Sequence, residues 1–362
     1  MNTARGRGPA KIAADALGQY PERLDVRSPS EFALDHLPGA LNVAVLDDAE
    51  RALVGTIYTR ESAFAARKRG AALVARNIAH IVDAHCRDQP REWSPVVYCW
   101  RGGQRSAALA HVLNEIGFAA AQLDGGYRAY RRRVVAMLPR MATRFTFIVV
   151  CGLTGAGKSR LLAALVSIRA QVLDLEGLAK HRGSLLGDLP YEPQPSQKAF
   201  ESQLLAAMER FDPTRPVYVE SESRRIGTVQ MPETLLAAMR DSRCVHIDTP
   251  HALRVALLKE EYPHFMGDPD ALVAKLARLE PLFGPAVVAD WASAAASGEF
   301  DSLVADLLCK HYDPTYSRSI GKNFPHSLTA HRVVPQGIDA QAFRSLAQEI
   351  DAQVSESITV PA

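Results

Sequence analysis

The 362-residue chain has little of several features that mark particular protein classes. It has five cysteines, an odd and sparse set, so we expect no disulfide framework and a reducing, cytoplasmic location. No apolar stretch approaches the roughly 20 residues of a membrane span, so we expect no membrane contact. Residues 1–9 contain two arginines but no apolar segment, which argues against a secretory signal. The histidines show no spacing typical of metal ligands.

The chain also has almost no net charge, but the formal value of +2 conceals an uneven distribution. Through Arg140 there are 20 Lys and Arg against 14 Asp and Glu, whereas the remainder has 22 against 26. Part of the excess lies close together at Arg128, Arg131, Arg132 and Arg133. Such a patch can contact a phosphodiester backbone or form a solvated helix face, and charge alone favours neither reading.

The length and the alternation of short strands with helices predict two α/β domains with largely parallel sheets. The sequence predicts strands at 23–27, 41–43, 95–98, 145–150, 170–173, 217–220 and 245–247. It predicts helices beginning near 31, at 63–84, 106–116, 127–140 and 160–168, and a helical region beyond 270 at 270–279, 289–296 and 302–310. We therefore expect a first domain over 1–127, a basic helical linker over 128–143 and a second domain over 144–362.

A cysteine in a glycine-rich loop is the more informative of two phosphate-handling motifs. Cys99 follows the apolar run Val96–Tyr98 and precedes a predicted helix, so backbone N–H groups of the loop can converge on an anion. Cations and a helix N-terminus lower the pKa of a thiol, which makes Cys99 a candidate nucleophile. The candidate anion-binding residues are Arg101, Gly102, Gly103, Gln104, Arg105 and Ser106. The spacing Cys-x5-Arg suits a cysteine-dependent phosphatase or a sulfur carrier, and the alternative is a structural cysteine.

The second motif, Gly152–Ser159, fits the P-loop pattern in full and lies between a predicted strand and a predicted helix. Its backbone N–H groups should surround a diphosphate, with Lys158 on the terminal phosphate and Ser159 on a possible Mg²⁺. The predicted diphosphate-binding residues are Gly152, Thr154, Gly155, Ala156, Gly157, Lys158 and Ser159. The pattern specifies a polyphosphate without specifying which one.

Polar residues that follow the neighbouring strands form a candidate second part of this site. Glu220 follows a strand and could hold a metal ion or its water, or could simply begin a surface loop. The other candidates are Asp174, Glu176, His181, Arg182, Glu222 and Arg224, and each could equally be a polar loop residue.

These motifs together resemble the tRNA 2-selenouridine synthases, in which a rhodanese-like domain is fused to a P-loop domain. The resemblance covers about 300 residues in order and is carried by segments 25–32, 38–42, 50–56, 98–106, 125–127, 152–159, 174–178, 181–184, 219–223 and 311–316. The loop Trp-Arg-Gly-Gly-Gln-Arg-Ser followed by a P-loop is its most specific part. The family pattern has Asp where this chain has Ser221, so a metal role would rest on Glu220, Glu222 or Asp174.

The resemblance implies an enzyme that replaces sulfur by selenium in 2-thiouridine at the wobble position of a tRNA anticodon. It implies selenophosphate as the selenium donor and an S-geranylated intermediate made from geranyl diphosphate. Selenophosphate, a small oxyanion, would suit the loop of Cys99, which either carries a perselenide or only binds the anion. Geranyl diphosphate would suit the P-loop, and the arginines at 128–133 would contact tRNA.

Two other readings remain open at this point. A cysteine phosphatase or sulfurtransferase fused to an ATP-dependent small-molecule kinase would explain both loops. A tRNA- or nucleotide-binding module without catalysis would explain the P-loop and the basic segment.

Overall fold

The computed structural model describes residues 8–359, which divide into two compact units. Residues up to 138, together with 198–206, form the first unit, and the remainder forms the second. The segment 128–143 lies almost entirely within one helix, α5 (Gly126–Ala142), and the division between the units falls after Leu138. The prediction that residues 1–9 carry no secretory signal falls mostly outside the described residues, which begin at residue 8.

The first unit is built on a five-stranded parallel sheet with the order β1-β5-β4-β2-β3. Its strands are β1 (Lys11–Ile12), β2 (Arg23–Asp25), β3 (Leu41–Asn42), β4 (Val96–Tyr98) and β5 (Ala121–Leu123). Its other helices are α1 (Pro29–Leu34), α2 (Asp48–Arg60), α3 (Ala63–Ile81) and α4 (Gln104–Ile116). The wholly buried strand β4 lies at the centre, so the loop that follows it opens at the middle of the sheet edge.

Local capping explains where several of these helices begin. Ser28 and Glu31 form a reciprocal capping box at the start of α1, and Asp47 and Glu50 form another at α2. Ser62 accepts the N–H of Ala65 at the start of α3. Helix α2 was not predicted because it has no buried residue, and therefore no apolar stripe at helical spacing.

The second unit has its own five-stranded parallel sheet with the order β12-β11-β6-β8-β7. Its strands are β6 (Phe147–Cys151), β7 (Gln171–Leu173), β8 (Val217–Glu220), β11 (Arg243–Ile247) and β12 (His331–Val333). Separately, β9 (Arg225–Ile226) and β10 (Val229–Gln230) form a small antiparallel hairpin. The central strand β6 leads directly into the P-loop, and β8 ends beside it. Helices α6 and α17 pack on one face around a buried core that includes Leu161, Leu165, Phe343 and Ile350.

The helices of the second unit are more numerous than the sequence predicted. They are α6 (Lys158–Ser167), α7 (Leu175–Ala179), α9 (Glu233–Arg240), α10 (His251–Glu261), α11 (Pro263–Gly267), α12 (Pro269–Leu276), α13 (Glu280–Phe283), α14 (Pro285–Ala296), α15 (Phe300–Leu307), α16 (Asp313–Asn323) and α17 (Ala340–Thr359). Most of α8 (Gln197–Met208) belongs to the first unit. Helices α10 to α16 surround a separate apolar cluster that includes Trp291, Leu276 and Leu308. No helix of the described chain is both long enough and apolar enough to cross a membrane.

Candidate active sites

Cys99 lies directly after β4, at the entrance to the loop that leads into α4. Its side chain is 4% exposed. The backbone N–H of Gly103 and the hydroxyl of Ser106 each donate a hydrogen bond to its Sγ at 3.2 Å. The loop therefore curls around the sulfur and directs donors toward it. Binding of an anion by this loop stays a prediction.

Gly126 is required where the loop meets the start of α5. It has φ +57°, and a Cβ at this position would lie 2.2 Å from the carbonyl oxygen of Cys99. The backbone N–H of Tyr127 donates to that same carbonyl at 2.9 Å. A side chain at Gly126 would therefore push the cysteine loop away from α5.

Gln122 supports the loop from below, and the sequence analysis did not identify it. This buried side chain on β5 donates from Nε2 to the carbonyl oxygens of Gly102 and Gly103, both at 3.0 Å, and to the Oγ of Ser106 at 2.8 Å. A buried glutamine on an otherwise apolar strand is the sequence signal that could have found it, because a buried amide needs partners.

The electrostatics of the loop favour a thiolate at Cys99. Burial raises the pKa of the thiol, but hydrogen bonds from Ser106 and Gly103 and the charge of Arg105 outweigh it, so the pKa is lowered. Cys86 is also buried but has no such donors, and burial raises the pKa of its thiol. The contrast isolates the effect of the loop on Cys99.

Arg105 lies beside the loop but is already paired. Its Nη1 donates to Glu31 Oε2 at 2.9 Å, and Arg51 lies 4.0 Å from the same oxygen. Burial raises the pKa of Glu31, but the hydrogen bond and charge of Arg105, the N–H of Ser28 and the charge of Arg51 together lower it further, which favours the carboxylate. Arg101, by contrast, is exposed. An anion in the loop would therefore meet Arg105 held in place by Glu31.

An aromatic pair borders the cysteine loop. The ring of Trp100, 37% exposed, stacks on Tyr127 with centroids 5.2 Å apart. The guanidinium of the buried Arg27 lies 4.1 Å from the centre of the Tyr127 ring, and the Tyr127 hydroxyl donates to Asp35 Oδ2 at 2.7 Å. These contacts fix one side of the opening near Cys99.

The four arginines predicted to contact tRNA differ in their surroundings. Arg131 pairs with Glu201, and Arg133 pairs with Asp15. Arg128 and Arg132 are exposed. Of the four, these two present the more accessible cations.

The P-loop has the conformation that its sequence predicts. Gly157 has φ +85°, and a Cβ there would lie 2.4 Å from the Phe343 ring, so only glycine fits. Lys158 Nζ donates to the carbonyl of Gly152 at 3.2 Å, and Ser159 Oγ donates to Glu176 Oε2 at 3.0 Å. Lysine and serine are thus held at the mouth of the loop.

Residues of α10 and the segment before it hold the outer side of the P-loop. Arg254 Nε donates to the carbonyl of Thr154 at 2.8 Å, and its Nη1 donates to Asp313 at 3.0 Å. Thr249 Oγ1 donates to the carbonyl of Ala156 at 2.7 Å. Asp313 lies in the motif segment 311–316, to which the sequence assigned no role, and no sequence pattern indicated Arg254 or Thr249.

A cavity of about 480 Å³ opens at the P-loop, and it contains only some of the predicted residues. Its lining includes the P-loop residues Thr154 to Ser159 together with Glu176, Arg182 and Glu222. Five other candidates do not line it, namely Gly152, Asp174, which caps α7, His181, Glu220 and Arg224. His181 Nδ1 accepts the N–H of Gly183, and exposed Arg224 faces Glu233 at 3.7 Å.

Buried carboxylates lie beside this cavity. Burial and the charges of Glu176 and Asp174 raise the pKa of Glu220, whose Oε1 accepts the backbone N–H of Glu176 at 2.7 Å. Burial and the charge of Glu176 raise the pKa of Glu222 to about 8. In the part of the chain that the structure describes, no three His, Cys, Asp or Glu side chains are arranged to hold a metal ion. Of the P-loop side chains, the Ser159 hydroxyl is the oxygen donor that would hold a Mg²⁺ carried by a bound diphosphate.

A second, apolar cavity of about 600 Å³ adjoins the first and shares four lining residues with it, Thr154, Ser184, Leu258 and Tyr262. Most of its other walls are apolar. They come from helices α11, α12 and α15 and the turn after α15, and include Phe265, Leu272, Phe300, Leu303, Val304, Leu307, Leu308 and Tyr312. Sequence reasoning did not find it, because its lining comes from many short helices with no motif in common. The second unit thus joins a phosphate-binding loop to an apolar cavity.

Comparison with known proteins assigns both parts of the chain. The family model of a rhodanese-like domain matches residues 10–133, and that of the tRNA 2-selenouridine synthase AAA domain matches residues 145–270. A tRNA 2-selenouridine synthase of Shewanella piezotolerans is 30% identical over 353 residues, which cover 88% of this chain and 94% of that protein. The chain belongs to the tRNA 2-selenouridine synthase family.

Other members of the tRNA 2-selenouridine synthase family match a shorter part of the chain. The protein of Nitrosomonas europaea is 36% identical over 250 residues, 66% of this chain and 63% of its own length. That of Bdellovibrio bacteriovorus is 36% identical over 251 residues, again 66% of this chain and 64% of its own length. The chain thus spans just under two thirds of these two relatives. The predicted fold class, a rhodanese-like part, a P-loop part and a helical C-terminal region, is confirmed.

Proposed function

We propose that the chain is a cytoplasmic transferase that converts wobble 2-thiouridine in tRNA to 2-selenouridine. It first transfers a geranyl group from geranyl diphosphate to the thio sulfur and then replaces the geranylated sulfur with selenium from selenophosphate. The relatives named tRNA 2-selenouridine synthase support the overall reaction. The individual steps rest on the geometry of the two sites.

The apolar cavity beside the P-loop is the observation that carries the geranyl step. A nucleoside triphosphate would place a polar base and ribose next to its phosphates, whereas a prenyl diphosphate places a hydrocarbon chain there. The cavity that shares Thr154 and Leu258 with the P-loop cavity is lined mainly by aliphatic and aromatic side chains. Burial of apolar surface stabilises a hydrocarbon in such a place by roughly 25 cal/mol per Å². The phosphate-binding loop and the apolar lining beside it therefore match the two chemical parts of a prenyl diphosphate.

In the geranyl step, the sulfur of 2-thiouridine forms a bond to C1 of the geranyl chain as the C1–O bond breaks. The electron pair of that bond leaves with the diphosphate, and the proton on N3 of the base is lost. Backbone N–H groups of the P-loop and the ammonium of Lys158 stabilise the charge on the departing diphosphate. A Mg²⁺ bound to the diphosphate would add to this stabilisation through Ser159.

The oxidation state of selenium in selenophosphate decides between two roles of Cys99 in the selenium step, a perselenide carrier and a nucleophile toward phosphorus. Selenium in selenophosphate is already at the oxidation level of selenide, so a Cys99 perselenide would require an oxidant. Attack of the Cys99 thiolate on phosphorus balances instead. A sulfur–phosphorus bond forms, the phosphorus–selenium bond breaks with its electron pair on selenium, and water later hydrolyses the thiophosphate.

The released selenide then attacks C2 of the geranylated base, and geranylthiolate leaves. The lowered pKa of Cys99, the N–H of Gly103 and the neighbouring Arg105 support a thiolate that attacks a phosphorus oxyanion. Donors around the loop would hold the oxygens of the anion as negative charge moves to selenium.

A single substitution separates the two steps. Lys158→Ala should abolish formation of S-geranyl-2-thiouridine but leave selenation of a tRNA that is already geranylated. Lys322→Ala, an exposed lysine of α16, is the matched control and should leave both steps unchanged. ATP turnover that depends on Lys158, with no prenyl transfer, would favour the kinase fusion instead.

A further inference from the structure

A groove in the first unit has no place in either reaction step described so far. It lies between α2, α3 and the start of α4 and is open to solvent. Small and aliphatic side chains, including Val54, Ala66 and Ala71, form much of its lining. Three lining residues are arginines, Arg51, Arg67 and Arg105, and none is acidic. The groove is therefore wide, partly apolar and positively charged.

Two aromatic rings are exposed at this groove. Tyr58 belongs to its lining and is 63% exposed. Phe64, which follows the lining residue Ala63, is 64% exposed, and Lys68 Nζ lies 5.0 Å from the centre of its ring. Burying a large exposed ring stabilises a complex, so the exposed ring of Tyr58 beside the arginines of the groove favours a flat, anionic ligand.

Two acidic side chains near the groove, Glu31 and Glu50, are already engaged by other partners. Glu31 accepts from Arg105 at 2.9 Å, and Glu50 accepts from Arg76 at 2.5 Å and from Asn77 at 2.6 Å. Arg67 forms no ion pair with any residue between 8 and 356. Its charge is therefore available to a ligand in the groove.

The groove is continuous with the cysteine loop. Gln104 and Arg105 line the groove and also belong to the segment that follows Cys99. A chain of nucleotides held in the groove would thus lead toward the sulfur within the same unit. Of the four arginines that the sequence suggested for tRNA contact, Arg131 and Arg133 form ion pairs and Arg128 and Arg132 are exposed. The groove adds Arg67 to the accessible cations.

We propose that this groove binds single-stranded nucleotides of the tRNA anticodon loop, with Tyr58 stacked on a base and Arg51 and Arg67 on phosphates. The inference rests on the proposed function, which makes tRNA the substrate. Proteins bind single-stranded nucleic acids through a cationic groove and aromatic side chains on which bases stack, and this groove has both. Unpaired loop nucleotides can present their bases to Tyr58, whereas a duplex keeps its bases stacked internally.

Binding of a fluorescein-labelled anticodon stem-loop with wobble 2-thiouridine to the full chain tests this assignment. Stacking on an aromatic side chain contributes about 1–3 kcal/mol per base, so Tyr58→Ala should raise the Kd by about tenfold, and Tyr58→Phe should restore binding. Arg67→Gln should reduce the slope of log K against log salt by about 0.7, and Tyr58→Ala should leave that slope unchanged. Tyr191→Ala and Arg87→Ala, which remove other exposed side chains, are the matched controls.

The outcomes separate this inference from the proposed function. If the unsubstituted chain selenates tRNA while Tyr58→Ala and Arg67→Gln bind the stem-loop normally, the groove serves another occupant, such as an acidic protein, and the inference is wrong. If the unsubstituted chain neither binds nor modifies the RNA, the proposed function itself fails. Alkylation of Cys99 at the normal rate in each variant shows that the first unit remains folded.

Discussion

The hydroxyl of Ser106 donates to the sulfur of Cys99 at 3.2 Å, and the same hydroxyl oxygen accepts from Gln122 at 2.8 Å. Ser106 therefore connects the sulfur to β5 through a buried side chain. Because a donor to sulfur favours the thiolate over the thiol, this contact is one cause of the lowered pKa of Cys99.

Ser106→Ala should raise the pKa of Cys99, since the thiolate loses a donor while its burial remains. A hydrogen bond to a charged group contributes about 1.5 kcal/mol or more, which corresponds to an increase of about one pH unit. The rate of Cys99 alkylation against pH measures the change. Ser62→Ala, which removes a serine that caps α3, is the control. An unchanged profile in Ser106→Ala would show that this hydroxyl does not stabilise the thiolate.

Cys99→Ala should lose selenation with selenophosphate but regain it when hydrogen selenide is supplied. In our account the thiolate only releases selenide from phosphorus, so added selenide bypasses it. Geranylation should persist, because the P-loop lies in the other unit. Geranylated RNA with selenide and no protein gives the background rate. A variant that still selenates with selenophosphate but no longer geranylates would overturn the assignment of the two sites.

Val304→Trp should shift the preference of the prenyl step from geranyl diphosphate toward the shorter dimethylallyl diphosphate. Val304 lines the apolar cavity beside the P-loop, and an indole there would shorten the space for the prenyl group. Kinetic constants for both diphosphates, with tRNA as acceptor, measure the change. Val166→Trp, at an exposed valine of α6, controls for the effect of an added indole. An equal loss of kcat/KM with both diphosphates would show that the prenyl chain does not occupy this cavity.

Diphosphate binding should become tighter as the pH falls through about 8. Glu222 lines the P-loop cavity, and its pKa is raised to about 8 by burial and by the charge of Glu176. Below that pH the side chain is neutral and no longer repels the diphosphate, and above it the carboxylate weakens binding. Glu222→Gln should remove this dependence and bind more tightly above pH 8. Calorimetric titration with inorganic diphosphate across pH 6.5 to about 9 measures the effect. An identical pH dependence in Glu222→Gln would assign it to another group.

The sequence predicted the strands that carry both loops, because buried parallel strands are continuous apolar runs that end in conspicuous motifs. The runs before Cys99 and Gly152 correspond to β4 and β6. Helix α17 was missed, although Phe343, Leu346, Ala347, Ile350 and Val354 recur at helical spacing and are buried. That pattern could have been found from the sequence alone.

The cavities were harder to predict than the loops, because each collects side chains from distant segments. The apolar cavity joins Thr154 to Leu186 and to residues 258–312, and no local pattern connects them. The pairing of Arg131 with Glu201 likewise depends on residues 198–206 belonging to the first unit. Because α8 follows the P-loop in the sequence, the sequence predicts it in the second domain and gives no reason to expect it beside Arg131.

Nucleoside mass spectrometry of tRNA tests the central claim most directly. Thiolated tRNA is incubated with the full chain, selenophosphate and geranyl diphosphate, and each component is then omitted in turn. We expect 2-selenouridine with the complete mixture, S-geranyl-2-thiouridine without selenophosphate, and unchanged 2-thiouridine without geranyl diphosphate. The absence of both geranylated and selenated uridine from every mixture would contradict the account.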